Sequence, residues 1–79
     1  MEHRTKRQRI SRLLIVEDDE SQLRSLTAIM EDEGFEVVGC SNASDALARL
    51  RVLDVGVAIV DLRLPDMSGT ELLQRLSAY

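Results

Sequence analysis

The sequence has no tryptophan, one phenylalanine and one tyrosine, so a folded core must be built from aliphatic side chains. It has one cysteine, Cys40, which cannot form an internal disulfide and fits a small core residue in a reducing compartment. No apolar run approaches the roughly 20 residues that cross a bilayer, and the basic start lacks the apolar segment of a signal peptide. These absences predict one small cytoplasmic domain without membrane association.

Charge is unevenly distributed along the 79 residues. Residues 1–12 carry five basic side chains and one acidic side chain, a net charge of +4, and we expect them to form a basic, flexible leader. Residues 13–79 carry five basic and thirteen acidic side chains, a net charge of −8. The acidic body excludes nucleic-acid binding by charge alone, so we expect no nucleic-acid partner for this chain by itself.

Three short apolar runs predict three strands. They are Leu13–Val16, Phe35–Cys40 and Val55–Val60, with Gly56 a weak point inside the third. The first and third runs, rich in branched residues and without polar alternation, are typical of strands buried on both faces of a parallel sheet, whereas the second is rich in valine.

Three capped helices are predicted to alternate with these strands. The caps pair a polar residue with a second one three positions later: Asp19 with Gln22, Asn42 with Asp45, and Ser68 with Glu71. Gly34 is a natural stop for the first helix. The predicted inward-facing apolar residues are Leu23, Leu26, Ile29 and Met30, then Ala46, Leu47, Leu50 and Leu53, then Leu72, Leu73 and Leu76. Strand–helix repeated three times predicts an α/β domain with a parallel sheet and right-handed crossovers.

Acidic residues follow two of the predicted strands at the point where each ends. Glu17-Asp18-Asp19-Glu20 follows the first strand, and Asp61 follows the third. An acid at a strand end can simply begin a turn, and acids at a helix start are favoured by the helix dipole, which accounts for Asp19 and Glu20. Neither interpretation explains why two strands end in acid. The carboxyl ends of parallel strands share one edge, where α/β sheets place their chemistry.

If the first and third strands are neighbours, their spacing of about 4.8 Å would bring Asp18 and Asp61 within a few Å of each other, with Glu17 adjacent. Three crowded carboxylates must be neutralised by protons or by a cation. Mg²⁺ prefers one or two carboxylates, several waters and a substrate phosphate, so the sequence predicts a Mg²⁺ site suited to phosphoryl transfer.

These two motifs resemble those of the receiver domains of bacterial two-component response regulators. The resemblance rests on residues 14–20 (LIVEDDE) and 60–69 (VDLRLPDMSG), and it covers residues 13–79. It implies a flavodoxin-like three-layer α/β/α sandwich that is partial, with sheet order 2-1-3 and strands 4 and 5 missing.

By the same resemblance, Asp61 is the phosphoacceptor and takes a phosphoryl group from a sensor histidine kinase or phosphotransfer protein. Asp18 would bind Mg²⁺ directly, Glu17 mainly through water, and Arg63 through its backbone carbonyl. Pro65 and Gly69 would shape the loop beside the site. Such a module promotes its own phosphorylation but is not a turnover enzyme.

The strand-4 hydroxyl residue and strand-5 lysine of a complete receiver are missing, as is an output domain, so we expect switching output to be lost. The only lysine is Lys6, in the leader. The alternative is a non-phosphorylatable fragment that docks on a kinase or another receiver; a gene fragment without function also stays open. A metal-dependent phosphohydrolase is disfavoured because Arg63 stands where such enzymes place a second acid. An unpaired third strand also predicts partial unfolding or a homodimer joined edge to edge through that strand.

Overall fold

Residues 11–77 are described by a computed structural model in which strands and helices alternate. The elements are β1 (Arg12–Val16), α1 (Glu20–Asp32), β2 (Glu36–Cys40), α2 (Ala43–Leu50), β3 (Val57–Val60) and α3 (Gly69–Leu76). The predicted repetition of strand and helix is therefore confirmed.

The three strands form one parallel sheet in the order β2-β1-β3. Val16, the last residue of β1, is in register with Cys40 of β2 and with Val60 of β3. The three strands thus end at the same level. This order and direction confirm the predicted 2-1-3 sheet of a partial flavodoxin-like fold.

All three predicted helix caps form, because a polar side chain satisfies a backbone N–H that the helix cannot. The Gln22 N–H donates to Asp19 Oδ1 at 3.0 Å, and the Asp45 N–H donates to Asn42 Oδ1 at 2.8 Å. The Glu71 N–H donates to the Ser68 hydroxyl at 3.0 Å. After α1, Gly34 adopts a φ of 101°, which L side chains rarely adopt, so its predicted role as a helix stop is confirmed.

Helices cover both faces of the sheet, giving three layers. One face of β1, with Leu14 and Val16, packs in a core that includes Leu72 of α3 and residues of α2. The opposite face lies under α1, where a Cβ added at Gly39 would approach Leu23 at 3.3 Å. The main core consists of Leu14, Val16, Val38, Cys40, Ala43, Ala46 and Leu72. As predicted, it is aliphatic and contains the only cysteine.

Several boundaries differ from the sequence-based ones. β1 begins at Arg12, inside the predicted leader, and β2 begins at Glu36 rather than Phe35. β3 begins at Val57 rather than Val55, because its pairing with β1 starts at Leu13 opposite Val57. Helix α2 ends at Leu50 and so excludes Leu53, which still packs against the core.

Three burial predictions are wrong. β3 is not buried on both faces: Val57 is 46% exposed and Ala58 is also exposed. The cause is its position at the edge of the sheet, since β1 is its only strand partner within residues 11–77. Leu73 and Ile29 were predicted to face inward but are 46% and 54% exposed. Leu73 directly follows Leu72, which does reach the core.

Residues 1–10 and 78–79 lie outside the described range, and so do most of the predicted leader and Lys6. Between residues 11 and 77 no helix has both the length and the apolar content that crossing a bilayer requires.

Candidate functional site

The predicted acids lie together because the backbone hydrogen bonds of the sheet continue past its strand ends. The Glu17 N–H donates to the Cys40 carbonyl at 3.0 Å, and the Asp61 N–H donates to the Val16 carbonyl at 2.9 Å. These bonds fix the first residue after β1 and the first residue after β3 at the same edge. Asp18 follows directly.

Glu17, Asp18 and Asp61 form an acidic cluster at this edge. One carboxylate oxygen from each residue lies within 4.8 Å of those from the other two. The three side chains differ in solvent access: Glu17 is 8% exposed, Asp61 is half-buried and Asp18 is exposed. The prediction that Asp18 and Asp61 meet at one edge of the sheet is confirmed.

Backbone N–H groups orient two of these carboxylates. The Asp19 N–H donates to Glu17 Oε2 at 3.1 Å, and the Arg63 N–H donates to Asp61 Oδ1 at 3.2 Å. A carboxylate held by an N–H of its own loop keeps its remaining oxygen lone pairs free for other partners. The cluster therefore presents fixed oxygen acceptors to the solvent-accessible side of the sheet edge.

Within residues 11–77 no basic side chain forms an ion pair with the cluster. The ion pairs in that range join Arg12 with Glu36, Arg49 with Asp45, and Arg75 with Glu71, all away from the cluster. Carboxylates this close repel unless a proton or a cation neutralises them. Their oxygen-only donor set, with one exposed member for water access, fits a hard cation such as Mg²⁺.

The loop from Leu62 to Ser68 closes tightly against the phosphoacceptor candidate Asp61. The Gly69 N–H donates to the Leu62 carbonyl at 3.0 Å, and Arg63 forms an isolated antiparallel bridge with Ser68. A Cβ at Gly69 would collide with the Asp61 carbonyl oxygen and would lie 2.7 Å from Leu62 Cα. Only glycine fits this close backbone approach. Pro65 lies exposed in the same loop.

Sequence reasoning missed Asp66. Its two carboxylate oxygens accept hydrogen bonds from the N–H groups of Ala43 and Ser44, at 2.9 and 2.8 Å. The partners are 23 and 22 residues away in sequence, so no local spacing pattern indicates the contact. The acid in this loop is instead a second cap for α2.

The two titration shifts in the described chain have clear causes. The hydrogen bonds from Ala43 and then Ser44 lower the pKa of the Asp66 carboxyl below its usual value. The stability that this carboxylate contributes is therefore complete above its unfolded-state pKa and is lost as the pH falls through its lower folded-state pKa. Burial, helped by the nearby Asp45 carboxylate, raises the pKa of the Cys40 thiol to about 11. Cys40 stays protonated at neutral pH, as befits a core residue.

Solved structures with the same architecture cover most of the described fold. A CheY-like response regulator receiver domain from Methylobacillus flagellatus matches 90% of this chain and 60% of its own, with a TM-score of 0.86 and 30% identity. A CheY-like receiver domain protein from Methanospirillum hungatei matches with a TM-score of 0.85 and 40% identity, over 89% of this chain and 56% of its own. The response regulator protein TrrA from Thermotoga maritima, solved in complex with Mg²⁺ and BeF, matches 87% of this chain and 60% of its own, with a TM-score of 0.83 and 25% identity.

The fold and its acidic edge define a signalling domain of the flavodoxin-like, CheY-type class. The sequence family of the response regulator receiver domain matches residues 13–79. The DNA-binding response regulator MtrA of Mycolicibacterium smegmatis is 38% identical over 67 residues, and the sensory transduction protein RegX3 of the same organism is 38% identical over 66 residues. These matches cover 85% and 84% of this chain but 29% of each relative. The chain belongs to the response regulator receiver domain family of two-component systems.

Proposed function

We propose that this chain is a phosphoacceptor module of a two-component phosphorelay, in which Asp61 receives the phosphoryl group. One observation carries the proposal: the carboxylate oxygens of Glu17, Asp18 and Asp61 lie within 4.8 Å of one another where β1 and β3 end. The donor would be the phosphohistidine of a sensor histidine kinase or of a phosphotransfer protein. The module would act in the cytoplasm and would not be a turnover enzyme.

In the proposed step an Asp61 carboxylate oxygen attacks the phosphorus atom of the phosphohistidine. A phosphorus–oxygen bond forms, the phosphorus–nitrogen bond breaks, and the leaving imidazole keeps the electron pair and is protonated. The Arg63 N–H holds Asp61 Oδ1 at 3.2 Å, which orients the carboxylate and leaves Oδ2 as the candidate nucleophile. Because Asp61 is half-buried, its carboxylate is partly desolvated yet reachable by a donor.

Asp18 and Asp61 would hold Mg²⁺ directly, with Glu17 acting mainly through water and Arg63 through its carbonyl. The bound ion would neutralise negative charge on the transferred group and on the cluster. Glu17 suits an indirect role because it is 8% exposed and its Oε2 already accepts the Asp19 N–H. Asp18 suits a direct one because it is exposed at the rim.

Labelling with acetyl phosphate tests the proposal. We expect slow phosphorylation of the 79-residue chain that requires Mg²⁺, stops with a chelator and is lost in Asp61→Asn, as followed by intact-protein mass spectrometry. It should be slow because the lysine that contacts the phosphoryl group in a complete receiver is missing; Lys6, in the predicted leader, is the only lysine. The loss of one donor to the phosphoryl oxygens typically lowers the rate by about 10²–10³.

Asp54→Asn is the matched control, since Asp54 is an exposed acid that lies outside the acidic cluster and precedes the N-terminal end of β3. It should label like the unchanged chain. Equal labelling of Asp61→Asn would overturn the assignment of the phosphoacceptor. Absence of labelling in a folded, Mg²⁺-binding chain that still binds a kinase would favour the alternative, a docking fragment that is not phosphorylated.

We also propose that the isolated chain self-associates through the free edge of β3. The strand Val57–Val60 carries no charge and no proline, and within residues 11–77 it has a neighbour on one side only. Such an edge presents unpaired N–H and C=O groups to another strand. Because both copies offer the same strand, the dimer would join β3 to β3.

Sedimentation of Val57→Lys should show fewer dimers than the unchanged chain, because a lysine on an edge strand opposes strand pairing. Leu73→Lys is a matched control: both side chains are 46% exposed, but Leu73 lies on α3. Equal loss of dimer in both variants would place the contact elsewhere. A compact monomer with cooperative unfolding would show that the edge does not associate.

A further inference from the structure

The start of α2 is held by side chains from two different parts of the chain. Asn42 Oδ1 accepts the Asp45 N–H at 2.8 Å, whereas Asp66 accepts the N–H groups of Ala43 and Ser44. A helix cannot satisfy its own first N–H groups, so these three bonds complete the first turn of α2. Asn42 is a local cap, three residues from its partner Asp45. Asp66 adds a connection to a distant segment.

That segment is the loop after β3, which carries Asp61 at its start and the proposed carbonyl ligand Arg63. Other hydrogen bonds of the loop stay inside it or reach the adjoining α3: Arg63 N–H to Asp61, and Gly69 N–H to Leu62. Within the described chain, residues 62–68 form two hydrogen bonds to an element distant in sequence, and Asp66 accepts both. Asp66 is an exposed residue in the middle of the loop.

We propose that Asp66 is a positioning residue of the phosphoacceptor site: it clamps the loop to α2 and so fixes the Arg63 carbonyl relative to Asp61. This inference rests on the proposed function of Asp61. Asp66 itself is not a member of the acidic cluster. Its effect would pass through the loop backbone, which has three residues between Asp66 and Asp61's neighbour Leu62.

The chemistry of the clamp requires a carboxylate. Both Asp66 oxygens are acceptors, and each meets one backbone N–H. Asparagine has the same shape but only one acceptor oxygen, and its NH₂ group would face a second donor. Asp66→Asn therefore breaks one of the two bonds without creating a cavity. The negative charge next to the positive end of α2 is lost as well.

The test compares Asp66→Asn with Asp54→Asn, the same change at an exposed acid that makes no side-chain hydrogen bond or ion pair within residues 11–77. Hydrogen exchange reports the clamp: the amides of Ala43 or Ser44 should exchange faster in Asp66→Asn, while the Asn42-capped amide of Asp45 should not change. In a titration with Mg²⁺ alone, the affinity for the ion should fall by about 10-fold in Asp66→Asn. This is the lower end of the range for losing a residue that orients metal ligands. Labelling by acetyl phosphate at saturating Mg²⁺ should also slow.

Faster exchange at α2 with unchanged Mg²⁺ affinity and labelling would overturn the proposal and leave Asp66 as a helix cap only. If Asp66→Asn does not fold, Asp66→Glu replaces it, because it keeps the carboxylate but places it one methylene further out. A folded Asp66→Glu variant could show altered exchange at Ala43 and Ser44 but normal Mg²⁺ binding. That result would also contradict the proposal that Asp66 positions the site. Absence of Mg²⁺ binding in the unchanged chain would instead contradict the proposed function itself.

Discussion

Replacement of Gly69 by alanine is expected to lower the free energy of unfolding by about 1–3 kcal/mol or more, the range for forcing extra atoms into a packed site. Gly69 is buried at the first position of α3. The added Cβ would collide with the Asp61 carbonyl oxygen and lie 2.7 Å from Leu62 Cα. Both are backbone atoms, so no side-chain rotation relieves the contact.

The sign of this effect is informative because helix propensity predicts the opposite. Alanine in a helix is normally more stable than glycine by about 0.5–1 kcal/mol. At Gly69 the collision must exceed that gain, and it must displace the loop that carries Asp61. We therefore expect weaker Mg²⁺ binding in any fraction of Gly69→Ala that stays folded.

Gly56→Ala is the matched control. A Cβ at Gly56 would meet only the Arg12 carbonyl oxygen, at 4.0 Å, which is an ordinary contact distance. The φ of Gly56 does not lie in the left-handed region; Gly34 is the glycine whose φ does. Urea unfolding followed by circular dichroism should show Gly56→Ala close to the unchanged chain. Equal midpoints for the two variants would show that the close approach at Gly69 is not a constraint.

Replacement of Leu72 by alanine should cost about 2–5 kcal/mol, the usual range for truncating a fully buried leucine. Leu72 is 0% exposed and is the buried side chain that joins α3 to the core shared by β1, β2 and α2. Small domains have free energies of unfolding near the lower end of the usual range of about 5–15 kcal/mol. Leu72→Ala should therefore remove a large part of the stability of the chain and shift its unfolding to much lower urea concentrations.

Leu73→Ala provides the comparison, since this neighbouring leucine is 46% exposed. It should change the free energy of unfolding far less, because little packing is lost. The same urea titration measures both variants. A Leu73→Ala variant as unstable as Leu72→Ala would mean that α3 packs through a different face from the one described.

Much of the fold could be predicted because local signals agreed with one another. The caps at Asp19, Asn42 and Ser68 each combine an acceptor side chain with a helix start, and all three form. Apolar runs without alternation located β1 and β3, and a valine-rich run located β2. The two acid-terminated strands placed the acids at one edge of the sheet. The prediction that the acids meet also needed β1 and β3 to be neighbours, an order that the resemblance to receiver domains supplied.

What could not be predicted depends on distant contacts. The apolar run of β3 led to the wrong expectation that Val57 is buried, because such a run does not show which distant residues cover the faces of a strand. Helical periodicity locates an apolar face only to within about one residue, which is why Leu73 was wrongly placed inward. Asp66 was missed because its partners lie more than twenty residues away. Its capping role follows from the tertiary fold and not from its neighbours.

Titration with Mg²⁺, followed residue by residue with NMR, tests most directly the claim that the acidic cluster is a metal site serving Asp61. We expect weak binding with shifts confined to the segments around residues 17–19 and 61–64, and loss of these shifts in an Asp18→Asn, Asp61→Asn double variant. Asp32→Asn, an exposed acid at the end of α1, should keep the shifts. Equal shifts in the double variant and the unchanged chain would contradict a metal site at the acidic cluster, because the metal would then bind without the carboxylates that define the site.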